Sequence, residues 1–350
     1  METKAIDHFA AGTKQIDMRS NCLNLFRLWA AILVFYGHAI AAFATEQPDW
    51  AMPIVKLAFL FEMVPFFFAV SGFLLWSSLG RTKHFGDYLK NRVLRLYPEM
   101  WGAVILNAVV TLILNFKNIT WWEFIAYQFT QSTFLQFWTP DSLQSFSNGP
   151  LWTVCVMVQC YVVLWPLYRF LHGKGLKRWL PTLAACVTIN LVKPLLKPFL
   201  PAILYKLIWY TFANHLWLFL LGAFLCEYFP QVIGWLKKFW WLAFPLQILV
   251  FYTKFDVGSY AILNNTLMIL GVLGFAYRYP NLNIKTDLSY GLYLYHMIVI
   301  NTMVFFHLFD GGYLCILMAL IPSVLLALAS YFSTGAISRR AKAKGKLKLS

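Results

Sequence analysis

Residues 26–40, FRLWAAILVFYGHAI, form an apolar stretch that carries two ionisable side chains, Arg27 and His38. Each is costly in hydrocarbon, and each marks a functional position until a partner accounts for it. On an α-helix the spacing R-x10-H amounts to three turns plus about 20°, so both side chains share one face, about 16 Å apart along the axis. Arginine supplies a permanent cation whose forked donors suit phosphate or carboxylate. Histidine, with an ordinary pKa of about 6.5, can take and return a proton or attack as a nucleophile. The plainer readings are a snorkelling Arg27 and a His38 that donates to a backbone carbonyl on a neighbouring helix.

A second stretch adds chemistry. Residues 66–98, FFFAVSGFLLWSSLGRTKHFGDYLKNRVLRLYP, contain Ser71 and Gly72 in an apolar helix. A connection carrying Arg81, Lys83, Lys90, Arg92 and Arg95 follows, and then Pro98, read as the start of a third helix. Arg92 and Arg95 stand three apart, on one face of a helix, and bidentate donors placed so can clamp a polyanion. The alternative is a loop that merely fixes topology.

The composition says what must position these groups. Of the 350 residues, 60% are hydrophobic and 12% charged, against about 45–50% and about 25% in soluble domains. The chain therefore reads as an all-α, polytopic membrane protein. Ten apolar stretches approach the length that crosses a bilayer: about 24–44, 56–79, 98–116, 150–170, 179–193, 211–227, 239–253, 260–277, 287–308 and 314–336. Most Lys and Arg fall on the side of the N-terminus, and the opposite side receives only Lys56, Lys117, Lys193, Lys197, Lys206 and Lys254. By the positive-inside rule both termini are cytoplasmic.

This gives a cytoplasmic segment 1–20, a membrane domain 21–337 and a basic tail 338–350. The net charge of +15 is topology and carries no nucleic-acid reading. The AFA at 42–44 before TEQ resembles a signal-peptidase site, but Arg27 and His38 inside the apolar run argue for a retained helix. Cys22, Cys155, Cys160, Cys186, Cys226 and Cys315 have neither disulfide nor metal-ligand spacing and read as small buried hydrophobes.

Four regions together resemble the membrane acyltransferase family 3, bacterial integral-membrane enzymes that O-acylate cell-surface sugars. RLWAAILVFYGH is similar to its R-x10-H signature, FFFAVSGFLL to its FFxxSGF segment, and RVLRLYP to its arginine-rich segment. NGPLWTVCVMVQCYVVLWP and SYGLYLYH resemble its GPLW and SYGxYLxH elements. The resemblance implies an enzyme of the bacterial inner membrane that passes an acyl group, typically acetyl from cytoplasmic acetyl-CoA, to a surface glycan or lipid-linked saccharide. It makes His38 the essential histidine, with Arg27, Ser71, Arg92 and Arg95 toward acyl-CoA and no metal. A homo-oligomer stays open. The chain departs from the family at Met157 and Val158, where glutamates are usual, and at Asn91, where a further arginine is frequent.

Glu62, about six residues into the second helix, is either a carboxylate that orients His38 or an interfacial acid. His296 is a structural or a site residue, while His84, His172, His215 and His307 read as structural or interfacial. Asn148 and Trp152 frame GPLW and are candidates for substrate binding. The connection 117–149 holds Trp121, Trp122, Phe124, Tyr127, Phe134 and Trp138, suited either to sugar rings or to a membrane-interface belt. The rival from another class is a transporter or flippase with Arg27 and His38 on its path. The lack of a recognisable internal repeat weighs against it.

Overall fold

The computed structural model describes residues 18, 20–44, 49, 51–133, 135–136, 138–256 and 261–339. Phe134, nearly all of the 1–20 segment and the tail from Arg340 lie outside the described residues. Among the described residues fourteen α-helices carry the architecture: α1 Leu23–Phe43, α2 Met52–Phe59, α3 Met63–Leu79, α4 Phe85–Asn115, α5 Trp121–Gln131, α6 Leu151–Leu171, α7 Leu176–Leu196, α8 Ala202–Trp209, α9 Phe212–Glu227, α10 Phe229–Phe239, α11 Ala243–Thr253, α12 Ile262–Arg278, α13 Ser289–Phe305 and α14 Tyr313–Phe332. Among the described residues there is no strand.

Among the described residues every apolar stretch named above falls on helix, but the lengths differ from expectation. Seven helical segments among the described residues are long and apolar enough to cross a membrane. They make the protein a multi-pass membrane protein. Helices α12 and α13 have 17 residues each and α11 has 11. The seventh stretch is split: a 3-10 turn at Trp240–Leu242 joins α11 to α10, whose last turn holds Lys237 and Lys238 while Trp235 is exposed. Lys193, expected as a topogenic charge, is buried, with Nζ 3.8 Å from the centroid of Trp209.

Two further elements correct the sequence reading. The second span is broken at Leu60–Glu62, between α2 and α3. The Leu60 carbonyl freed by the break accepts Gln247 Nε2 at 3.3 Å and Asn264 Nδ2 at 3.1 Å. Interrupted backbone at membrane depth persists only where neighbours re-satisfy it in this way. Pro98, expected to open the third helix, lies inside α4. At 31 residues α4 is about 46 Å long and outruns a hydrocarbon core of about 30 Å, with Arg92 and Arg95 toward its N-terminal end.

The tightest seam joins α3 and α9. A Cβ on Gly72 would overlap the Phe219 carbonyl, and one on Gly222 would overlap the Ala69 carbonyl. The SGF glycine thus serves a reciprocal backbone approach, the small-residue packing that replaces a hydrophobic driving force between helices in lipid. Gly222→Leu should lose the folded species in detergent by fluorescence-detected size exclusion, with a cost at or above the ~3 kcal/mol end of overpacking. A wild-type elution profile and melting temperature would show the seam to be loose.

Candidate active site

Helix α1 is anchored at its start. Asn21 Oδ1 accepts the Leu23 amide at 3.1 Å, the Cys22 amide donates to Ala276 O at 3.1 Å, and Asn24 Nδ2 donates to Ile284 O at 3.2 Å. These ties set the rotation of α1, and with it the direction of the stripe that carries Arg27 and His38.

The partners of that stripe come from α13 and the residues just before it. His38 Nδ1 lies 2.9 Å from His296 Nε2, and His296 Nδ1 lies 2.9 Å from Leu292 O. The two rings are within 11° of coplanar with centroids 5.1 Å apart, an edge-to-edge hydrogen bond rather than a face-to-face stack. A carbonyl can only accept, so His296 carries its proton on Nδ1 and its neutral ring accepts at Nε2. His38 must therefore donate from Nδ1. This tautomer, inferred from the bonding pattern, leaves His38 Nε2 with a lone pair and no hydrogen-bond partner among the described residues. His296 is fully buried, whereas His38 is half-buried.

His38 opens on a cavity of about 430 Å³, lined also by Val34, Gly37, Met63, Val64, Gln136, Trp138, Thr139, Ser147, Gly149, Pro150, Trp152, Tyr210 and Tyr293. Trp152 is in its wall, backed by Trp209, Tyr210 and His215. Asn148 is behind the wall: its Nδ2 donates to Leu294 O at 2.9 Å and its amide to Tyr127 Oη at 3.3 Å, which ties the connection before α6 to α13. Glu62 hydrogen-bonds Asn265 and Asn264 on α12. The ring nitrogen of His38 that faces α13 thus belongs to His296, and the structure does not bring Glu62 to it. Among the described residues no group of three His, Cys, Asp or Glu could hold a metal ion.

The other end of the stripe is charged. Arg27 forms an ion pair with Asp287, which also accepts the Ser289 amide at 3.1 Å at the start of α13. Arg95 is exposed there, within electrostatic range of Arg27, Arg92, Asp287 and Tyr161. Arg92 Nη2 donates to Ser78 Oγ at 3.4 Å, but its buried Nε has no partner among the described residues. Ser71 turns toward α6, with Oγ 3.6 Å from Met157 Sδ and a bond to Tyr161. A gap of about 30 Å³ lies between the two ends, lined by Arg27, Val64, Phe67, Phe68, Thr153, Met157, Ser289, Tyr290 and Tyr293. Val64 and Tyr293 border both spaces, and the Tyr293 hydroxyl is held by Thr153 Oγ1 at 2.7 Å and Pro150 O at 3.1 Å. Met157 thus lines the route between the two ends. Gln159, the next polar residue of the GPLW element, accepts the Phe212 amide at 3.0 Å and caps α9.

Sequence reasoning missed Asp287, Tyr293, Gln136 and Tyr210. An acid just ahead of SYGLYLYH is a helix-capping signal, but nothing local tells that its second oxygen meets Arg27.

A family model described as an acyltransferase domain matches residues 20–338. The chain belongs to that acyltransferase family. Nodulation protein 10 of Rhizobium leguminosarum bv. viciae is 26% identical over 323 residues, covering 81% of this chain and 84% of its own. An O-acetyl transferase of Shigella phage Sf6 is 26% identical over 186 residues, covering 50% of this chain and 53% of its own. No solved structure matches. As a member of the family this protein is an O-acyltransferase, and the His38 cavity and the arginine cluster are its candidate centres.

Asp287→Ala should lower the unfolding free energy by about 1–3 kcal/mol by leaving Arg27 without its acceptor. The charge-exchanged pair Arg27→Asp with Asp287→Arg should recover part of that loss. A double-mutant cycle on thermal unfolding in detergent that returned additive effects would show the two residues to be uncoupled.

Proposed function

We propose that the protein transfers an acyl group, acetyl in the first place, from cytoplasmic acyl-CoA to a hydroxyl of a surface polysaccharide or its lipid-linked precursor. The reading includes ten spans with both termini and the arginine end on the cytoplasmic side of the bacterial inner membrane. One observation carries it. On one helix face, an unspent imidazole lone pair opens to a roomy polar and aromatic cavity, while arginines cluster about 16 Å away along the axis.

In this reading Arg92 and Arg95 hold the nucleotide phosphates, with Arg27 behind them, and Ser71 and Met157 border the path of the pantetheine arm. Opening that path requires Tyr293 and Val64 to part. The thioester carbonyl then reaches His38. His38 Nε2 takes the proton of the acceptor hydroxyl as its oxygen attacks the carbonyl carbon. The C–S bond breaks, its electron pair stays on sulfur, and the CoA thiolate recovers the proton from His38. His296 acts as a positioning residue: it holds the His38 tautomer and accepts part of the imidazolium charge through the Nδ1 bond. The name of the phage relative, an O-acetyl transferase, supports acetyl as the group moved and oxygen as its destination.

His38→Ala should reduce transfer from acetyl-CoA by about 10²–10⁴-fold while the protein is made and inserted at wild-type level, and surface O-acetyl should disappear. Retained O-acetylation in that variant would remove His38 from the chemistry. General-base transfer needs both substrates bound together, so initial-rate plots against acetyl-CoA and acceptor should intersect. Parallel lines with a trappable acyl-imidazole would instead make His38 an acyl carrier. His296→Ala should lower kcat with the KM for acetyl-CoA unchanged, and a wild-type kcat would show that the dyad has no part in catalysis.

A further inference from the structure

A cation is buried where the sequence predicts a solvated charge. Lys193 lies in the last turn of α7 and is 2% exposed. Among the described residues it belongs to no ion pair. Its ammonium is held instead by two rings of α8, with Nζ 3.8 Å from the centroid of Trp209 and 4.8 Å from that of Tyr205. Burying a charge is costly, and a methionine would fill similar space without that cost. What the charge adds is direction. A cation is drawn to the face of an aromatic ring and not to its edge, so Lys193 fixes the plane of Trp209 where packing alone would let it tilt.

Trp209 passes that constraint toward the cavity. Its carbonyl accepts His215 Nε2 at 2.7 Å, which ties the end of α8 to the first turn of α9. The His215 ring lies near-parallel to Phe68, 15° between planes with centroids 5.0 Å apart. Trp152 rests on this group. Its ring centroid is 6.4 Å from that of Trp209, 5.3 Å from that of His215 and 5.5 Å from that of Tyr210, the last nearly perpendicular at 82°. Trp152 and Tyr210 both line the His38 cavity, and neither lines the gap beside Arg27. A buried ammonium thus stands one ring behind the aromatic wall of the cavity.

We propose that Lys193 is a positioning residue for the acceptor: through Trp209 it sets the tilt of Trp152, against which the C–H face of a sugar ring lies while one of its hydroxyls meets His38. The ligand class is a polyhydroxylated ring with an apolar face, which an indole holds only when its own plane is fixed. Lys193 does not touch this ligand. Its charge acts on the wall, and the wall acts on the acceptor. Acyl-CoA reaches His38 past Val64 and Tyr293 and does not depend on that tilt. The proposal rests on the function read above and specifies how its acceptor is held.

The test uses the full chain in native membranes, with labelled acetyl-CoA as donor and the host's surface polysaccharide, de-O-acetylated by mild base, as acceptor. Lys193→Met keeps an unbranched chain and removes the charge. It should raise the KM for the polysaccharide about tenfold and leave kcat and the KM for acetyl-CoA within about twofold. Lys193→Arg retains a cation that can lie on an indole face and should keep the polysaccharide KM within about threefold. Trp152→Leu should show the acceptor defect of Lys193→Met, and the double variant should be no worse than Trp152→Leu alone. Trp209→Phe keeps a ring but offers the cation a weaker face, and should raise the acceptor KM about threefold even where Lys193→Met fails to insert. Wild-type acceptor KM in Lys193→Met, or in Trp209→Phe, overturns the proposal and leaves the function standing. Additive effects of Lys193→Met and Trp152→Leu, or equal loss of donor and acceptor kinetics in the Met and Arg variants, also overturn it, by making Lys193 a structural residue. Failure of the wild-type protein to acetylate the polysaccharide at all overturns the function itself.

Discussion

Everything in this bundle hangs on how two parallel helices share their polar groups. Arg27 and His38 would each be expensive in hydrocarbon if alone. Each finds its partner on one neighbouring strip of chain, Asp287 for the cation and His296 for the imidazole. R-x10-H on α1 is matched by D-x8-H on and just before α13, the difference arising because Asp287 stands ahead of the first turn of its helix. A slip of α1 by one residue would strand both groups at once. The same two bonds that make α1 tolerable in a membrane therefore also set its register, and the register sets the direction of His38 Nε2. Stability and the proposed chemistry rest on one set of contacts.

The apolar part of the fold has a different division of labour. Helices α3 and α9 meet backbone to backbone at Gly72 and Gly222. That seam contributes no chemistry of its own. It holds Ser71 against α6 and Val64 against the cavity, on a helix whose upper end is broken at Leu60–Glu62 and braced by the amides of Gln247, Asn264 and Asn265. Glu62 belongs to this brace, and its hydrogen bonds are accounted for without the His38 ring.

How far the sequence could be read follows from the range of the forces involved. Helix content, the one-face placement of Arg27 and His38 and the arginine pair on α4 are local consequences of period and composition, and they were legible. The break at Leu60–Glu62 was not, because a continuous apolar run hides an interruption that only distant side chains stabilise. Pro98 misled for the opposite reason: its usual meaning as a helix starter is relaxed where neighbours and lipid keep the surrounding helix intact. Asp287 and His296 pair with residues some 260 positions away, and a single sequence carries no trace of that proximity. Lys193 was the least legible, since a lysine near the end of an apolar run reads as a topogenic charge until the rings around it have been placed.

The narrow waist at Val64 and Tyr293 has a consequence for the cell as a whole. A site reached from both faces of a membrane, as the proposed function requires, would also be a hole in that membrane, and protons would use it. The Tyr293 hydroxyl is tied to Thr153 and Pro150, and among the described residues the gap beneath it is about 30 Å³, room for about one water. A waist that narrow limits proton leak, so the proposed transfer from one side of the bilayer to the other need not drain the gradient that the membrane exists to hold.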